Sequence, residues 1–324
     1  VMGRDALVYI PKGNQKKAIT EQLRLLNFKK IKDFYYCGDD LEFKHYSGVR
    51  SWFIELDNDE KEEYNFILAV RTQAAANAHD ISHQNFTLKH LKKYFNTHFH
   101  SDYGKNRYFP YDGNPNSFGA ENGCFYAIDK LENNFSTLKY SLSNYPDDSE
   151  QELLLPTFGI PSPSIFTANI YLTYLCSIIE QYFKLTFIAI FRFSKNKEQI
   201  FKKGNRFFPF DLASISNGTL SIEEAFANTL SFQNIEKINS NFRMLDSKLD
   251  ISSSLKKPYM RRKENLYEAL NRILEQRHGL IHQIDLNLTY SKHDFLKDID
   301  CVNTSLIRVY DYLCQTYSWK NQLT

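Results

Sequence analysis

Two kinds of hydrophobic spacing run along this chain, and they change over before its middle. In the first third, short apolar runs are separated by polar turns. Ala6-Leu-Val-Tyr-Ile10 predicts a strand, as do Ser51–Asp57 and Tyr64–Thr72. Polar Asn58–Glu63 between the last two predicts a hairpin-type connection. Asn14–Phe28 carries Ile19, Leu23, Leu25, Leu26 and Phe28 near helical spacing, and Phe86–Phe95 sets Leu88, Leu91 and Phe95 on one side of a second helix. His98–Pro110 predicts one or two further short strands around Tyr103-Gly104.

Tyr111–Asn116, with a proline, Gly, Asp and two Asn, reads as a turn or linker. Helical spacing then takes over. Ser117–Leu142 predicts a helix that suits packing with either neighbour, and Ser143–Ser149 a loop. Pro156–Pro163 holds three prolines and a glycine and is the best candidate boundary. Beyond it, helices are expected over Ile165–Phe193, Ser221–Phe232, Ile235–Leu245, Tyr259–Ile284 and Asp294–Tyr317, which amounts to a bundle. No internal repeat of fixed period is found. The expected class is therefore α+β: an α/β domain over 1–116, a helix and linker over 117–160, and an all-α bundle over 161–324.

Composition changes this picture little. Hydrophobic residues are 42% and charged residues 24%, a globular balance in which two domains of ordinary size fit the 324 residues. With 26 Phe and 21 Tyr there is ample ring area for cores or base stacking. Net charge is +2, so attraction to nucleic acid has to rest on local clusters. Ser164–Ile179 is the longest uncharged helical run, but it is short and carries Ser164, Thr167, Asn169, Thr173 and Ser177. A buried core helix is expected there, and no membrane partner. Val1–Arg4 leads straight into a strand-like run, which predicts no signal peptide. Cys37, Cys124, Cys176, Cys301 and Cys314 lack paired zinc spacing and are expected as reduced, buried thiols of a cytoplasmic protein.

The informative string is Leu274-Glu-Gln-Arg-His-Gly-Leu-Ile-His-Gln283. His278 and His282 are four apart, so on a helix they share a face. Arg277 and His282 are five apart, about 140° around the axis. A long guanidinium arm spans that angle, or the helix loosens at Gly279, where glycine costs about 1 kcal/mol of helix propensity.

This string resembles the signature of the HEPN superfamily: an arginine, a polar residue, then a histidine a few positions on. Arg277, His278 and His282 occupy those places. A long helix with a mid-helix acid, Glu180, precedes the motif and a terminal helix follows it. The resemblance covers roughly residues 160–320 and is strongest to the HEPN domains of RNA-cleaving toxins and antiphage proteins. It implies attack of the ribose 2′-hydroxyl on the adjacent phosphate, leaving 2′,3′-cyclic phosphate and 5′-hydroxyl ends, with no metal or other cofactor. Histidine titrates near working pH and suits proton transfer. Arginine is permanently charged and offers a planar fork of donors to the crowded phosphorane. The resemblance thus gives His282 acid/base work, Arg277 phosphate stabilisation, and His278 a positioning role, with Glu275 expected to orient Arg277. It also implies a homodimer that brings two motifs to one cleft, and an antitoxin or a phage trigger as partner.

Lys256, Lys257, Tyr259, Arg261, Arg262 and Lys263 form a basic cluster with an internal aromatic, which suits an RNA backbone and one stacked base, or equally a solvated helix start. In the first third, His79, His83, His90, His98, His100 and Asp102 have loose spacing and no cysteine among them, so surface or core histidines are expected rather than a metal site. Asp102–Arg107, with Lys105, Arg107 and Asp112, is expected as a salt-bridged turn. No phosphate-binding loop or Gly-x-Ser-x-Gly elbow is present. Two other functions stay open: a catalytically silent HEPN protein that binds RNA or a partner protein, and a DNA- or nucleotide-processing enzyme with its site in the first domain.

Overall fold

The computed structural model describes residues 3–38, 42–56, 63–111, 119–144, 154, 158–203, 207–259, 263–283 and 285–323. The chain divides into two compact units, Val1–Gly119 and Ala120–Thr324.

The first unit is a seven-stranded antiparallel sheet with two helices. Its elements are β1 (Arg4–Pro11), α1 (Lys16–Leu25), β2 (Lys29–Ile31), β3 (Phe34–Cys37), β4 (Val49–Ile54), β5 (Tyr64–Thr72), α2 (Ala78–Tyr94), β6 (His98–Ser101) and β7 (Gly104–Lys105). The strand order is β2-β3-β4-β5-β1-β6-β7. Both β4 and β1 run antiparallel to β5, and both β5 and β6 run antiparallel to β1. The strands β1, β4, β5 and β6 with the two helices therefore form a βαββαβ, ferredoxin-like frame, extended at one edge by β2 and β3 and at the other by β7. The mixed α/β expectation is refined by this pairing, since every strand contact is antiparallel.

Period-two alternation puts Ala6, Val8 and Ile10 of β1 beside Leu68 and Val70 of β5 on one face. There they pack with Ile19 and Leu23 of α1 and Leu88 and Leu91 of α2. Helix α2 begins at Ala78, well before the expected Phe86. Asn77 caps it in a reciprocal box with Asp80. Its early turns bury the polar residues Gln84 and Thr87, which hid them from an apolar-spacing rule. Gln84 is satisfied by the Val70 carbonyl at 2.9 Å and the Thr72 hydroxyl at 3.0 Å.

The second unit is helical: α3 (Ala120–Ser143), α4 (Pro163–Arg192), α5 (Lys197–Lys203), α6 (Pro209–Ser216), α7 (Ile222–Asn228), α8 (Ile235–Leu245), α9 (Ile251–Lys256), α10 (Leu266–His282) and α11 (Lys292–Tyr317). Helix α3 packs against α4 and α11 and so belongs to this unit. Helix α4 is the central member. Ser162 caps it, accepting from the Ile165 N–H at 3.2 Å, and Pro163 opens its first turn. It is long and apolar enough to cross a bilayer by composition, yet 67% of its most apolar window is buried inside the unit. Much of the phenylalanine surplus lies here: Phe187 and Phe191 meet Phe226, and Phe187 meets Phe242.

The expected helix over Tyr259–Ile284 is shorter in the structure. Helix α9 ends at Lys256 ahead of Pro258, and α10 starts only at Leu266, after an Asn265–Glu268 capping box. Residues 260–262 and Ile284 lie outside the described residues.

Candidate functional site

Helix α10 lies between α4 and α11, and contacts from both fix its rotation. Toward α11, Arg272 donates twice to Asp298, at 2.7 and 3.2 Å, and it also meets Glu264 at 3.1 Å. Asp298 is buried and takes a third hydrogen bond from the Tyr290 hydroxyl at 2.7 Å. The carboxylates hold the Arg272 guanidinium above its ordinary range, the Asp298 hydrogen bonds contributing most. Toward α4, the Cys176 thiol lies 3.7 Å from the Ile273 carbonyl, and burial pushes that thiol up to about 12, which rules it out as a nucleophile at neutral pH.

One turn further on, the setting changes. Arg277 is half-buried, and its Nη2 lies 3.5 Å from Glu180 Oε1 on α4. That contact is an ion pair without hydrogen-bond geometry, and Glu180 Oε1 is buried with no hydrogen-bond partner among the described residues. The same is true of Gln276 Nε2. His278 and His282 are exposed, and their rings lie 4.5 Å apart and tilted by 44°, as expected for positions four apart. The segment after the helix returns toward the start of α4, where Asn169 and Asn287 exchange hydrogen bonds at 3.1 Å. This exchange sets the loop after α10 beside the first half of α4.

Two expectations change. The helix does not loosen at Gly279: it runs unbroken to His282, and the Gln283 N–H still reaches the Gly279 carbonyl at 2.9 Å. The acid that meets Arg277 is Glu180. Glu275 is exposed and makes no ion pair with Arg277 among the described residues. Glu180 also lines an open cavity of about 470 Å³ with Lys184, Asn228 and Gln233. Arg277 and the two histidines do not line it.

No family model, curated protein or solved structure matches this chain. The site therefore rests on its own geometry and on the motif.

The described members of the basic cluster, Lys256, Lys257, Tyr259 and Lys263, lie toward the opposite end of α10, whose first residue is roughly 16 Å from Arg277 at 1.5 Å rise per residue. Lys256 Nζ stands 4.4 Å over the Tyr267 ring. Tyr259 is covered by Arg308, at 5.5 Å from its ring, and its hydroxyl meets Thr304 at 3.3 Å. Arg308 also donates to the carbonyls of Lys257 and Pro258. The Tyr259 ring thus has a structural occupant on one side, where a stacked base was one of the two readings. Lys263 is exposed, while Arg261 and Arg262 lie outside the described residues.

In the first unit the fold sorts the histidines into separate groups, with His98 and His100 in ring contact at 5.4 Å. His98 stacks on Tyr9 at 5.0 Å and 10°, with His100 at the ring edge, and His90 pairs with Gln22 at 2.8 Å. Asp102 accepts the Asp5 N–H at 3.2 Å. Asp112 lies outside the described residues. His83 behaves differently: the fold brings Cys37 and His45 to it, a convergence that linear spacing conceals.

Proposed function

We propose that the helical unit is a HEPN-type endoribonuclease that cleaves RNA by 2′-hydroxyl attack without using a metal ion in the cleavage step. The observation that carries this reading is the pairing at the end of α10. A guanidinium whose ion pair among the described residues is one loose carboxylate contact stands next to two exposed imidazoles in ring contact. A phosphate offers Arg277 two aligned acceptors, whereas the 3.5 Å contact with Glu180 makes no hydrogen bond. His282 takes the 2′-hydroxyl proton, and His278, one turn behind it, steadies the phosphate or the His282 ring.

A single copy supplies few groups for an acid, a base and a clamp together. A homodimer that apposes two α10 ends completes the set. Exposed apolar residues support that arrangement: Phe166, Ile170 and Tyr174 recur every fourth residue along the first half of α4, and Ile281 lies beside His282.

The test is cleavage of mixed RNA by the purified chain in the presence of chelator, with Arg277→Ala and His282→Ala compared to the parent. Loss of cutting in both, with folding retained, supports the reading. RNA binding without cutting by the parent indicates a catalytically silent binder. Cutting that is indifferent to both substitutions removes the site altogether.

A further inference from the structure

Three side chains far apart in sequence meet in the first unit. Cys37 ends β3, His45 lies in the segment before β4, and His83 sits in the second turn of α2. Each offers one ligand atom, and the three atoms all lie within 4.8 Å of one another. The backbone is built to allow this. Gly38 follows Cys37 and packs so closely on Gly48 that a Cβ at Gly38 would stand 2.4 Å from the Gly48 Cα. A side chain at Gly38 would push the His45–Gly48 segment away from β3.

Both imidazoles already carry the outer partners that metal-bound histidines use. His45 Nδ1 is 2.9 Å from Asp80 Oδ1, which leaves Nε2 to face away from that carboxylate. Asp80 is fully buried and is itself fixed, accepting from the N–H groups of Ser47 at 2.8 Å and Gly48 at 3.0 Å. The His83 ring donates to the Leu26 backbone. Its Nε2 is buried and has no hydrogen-bond partner among the described residues. A buried, unsatisfied ring nitrogen is costly, and a cation bound to its lone pair removes that cost.

We propose that Cys37, His45 and His83 bind one zinc-class divalent metal ion, with Asp80 and the Leu26 carbonyl orienting the two imidazoles. One thiolate and two imidazoles form a borderline-soft donor set that selects zinc over magnesium or calcium. Binding releases the Cys37 thiol proton to solvent. Bond lengths of about 2.3 Å to sulfur and 2.0–2.1 Å to nitrogen require the ligand atoms to close by on the order of 1 Å. The cluster lines a cavity of about 600 Å³, together with Arg24, Lys29 and Lys44. A fourth coordination position therefore opens toward a cationic wall, where water or an anionic group completes the tetrahedron. The ion ties β3, the His45 segment and α2 together. This site does not depend on the ribonuclease reading of the helical unit.

The experiment uses the full chain without a histidine tag. Elemental analysis of the purified protein is expected to give about one zinc per chain. After stripping, Co²⁺ titration is expected to produce a thiolate-to-cobalt charge-transfer band that saturates at one equivalent, and zinc should raise the melting temperature of the stripped protein. Cys37→Ser and His83→Ala should each abolish the band, whereas His100→Ala, on the opposite face of the sheet, should retain it. If Cys37→Ser does not fold, the cobalt spectrum of the parent still decides. Absence of a charge-transfer band in the parent overturns the proposal, as does stoichiometric zinc retained by a folded Cys37→Ser/His83→Ala double variant.

Discussion

The middle and the end of α10 hold their arginines in opposite ways. Arg272 is heavily bonded: two hydrogen bonds to a buried carboxylate, two to Glu264, and a tyrosine hydroxyl sharing the same buried acid. Five residues later, among the described residues, Arg277 has one 3.5 Å ion pair, beside a buried amide nitrogen with no hydrogen-bond partner and two exposed histidines. A guanidinium tied by four hydrogen bonds to two carboxylates serves packing and has little left to offer a ligand. A loosely held one is available, and its neighbours have unused hydrogen-bonding capacity. The two ends of one helix thus separate a structural arginine from a functional candidate where residue type alone does not.

The largest expected effect follows from that contrast. Arg277→Ala and His282→Ala should each lower RNA cleavage by about 10²–10⁴-fold. The His282 variant should melt as the parent does, because the ring is exposed and outside the core. Asp298→Ala should do the reverse. It leaves Arg272 and Tyr290 facing an empty site and should destabilise the helical unit by about 2–3 kcal/mol, discounted because Arg272 is partly exposed, as read by denaturant unfolding. If Asp298→Ala abolished cleavage without changing stability, the assignment of the two arginines would be reversed.

A smaller effect is expected on acidification. Glu223 is buried, and burial opposes its charge, but hydrogen bonds from Lys197 at 2.8 Å and Arg192 at 3.0 Å outweigh that and hold its carboxyl below the ordinary value of 4.5. A depressed acid contributes stability that is complete above its unfolded value and is lost as pH falls through its folded value. Thermal melts should therefore show the parent losing stability below about pH 4.5, and Glu223→Gln losing less over the same interval. The smallest effect concerns the basic cluster. Lys256→Ala should cost about 0.5 kcal/mol through the Tyr267 contact. If the cluster also holds RNA, the same change should reduce the salt slope of binding by about one unit.

How much of this was legible in the sequence depends on the kind of signal. The central strands, α4 and α11 follow from apolar spacing, because their buried faces are apolar almost throughout. The start of α2 does not, because Asp80, Gln84 and Thr87 are buried polar residues, the first two held by hydrogen bonds, and only the Asn77–Asp80 cap marks it. Strands β2 and β3 are too short to show a period, and β2 is exposed along its length. The pairing of His278 with His282 is readable from the helical repeat. The Glu180–Arg277 contact is not, since it depends on how two distant helices cross. The Cys37–His45–His83 convergence is hidden for the same reason, being made by sheet order and a close glycine contact.

The most direct test of the account is the chemistry of the RNA ends produced in chelator. The parent protein is expected to yield 2′,3′-cyclic phosphate and 5′-hydroxyl termini, and folded Arg277→Ala and His282→Ala proteins none. Undiminished cutting by either folded variant, or 3′-hydroxyl ends from the parent, would contradict it.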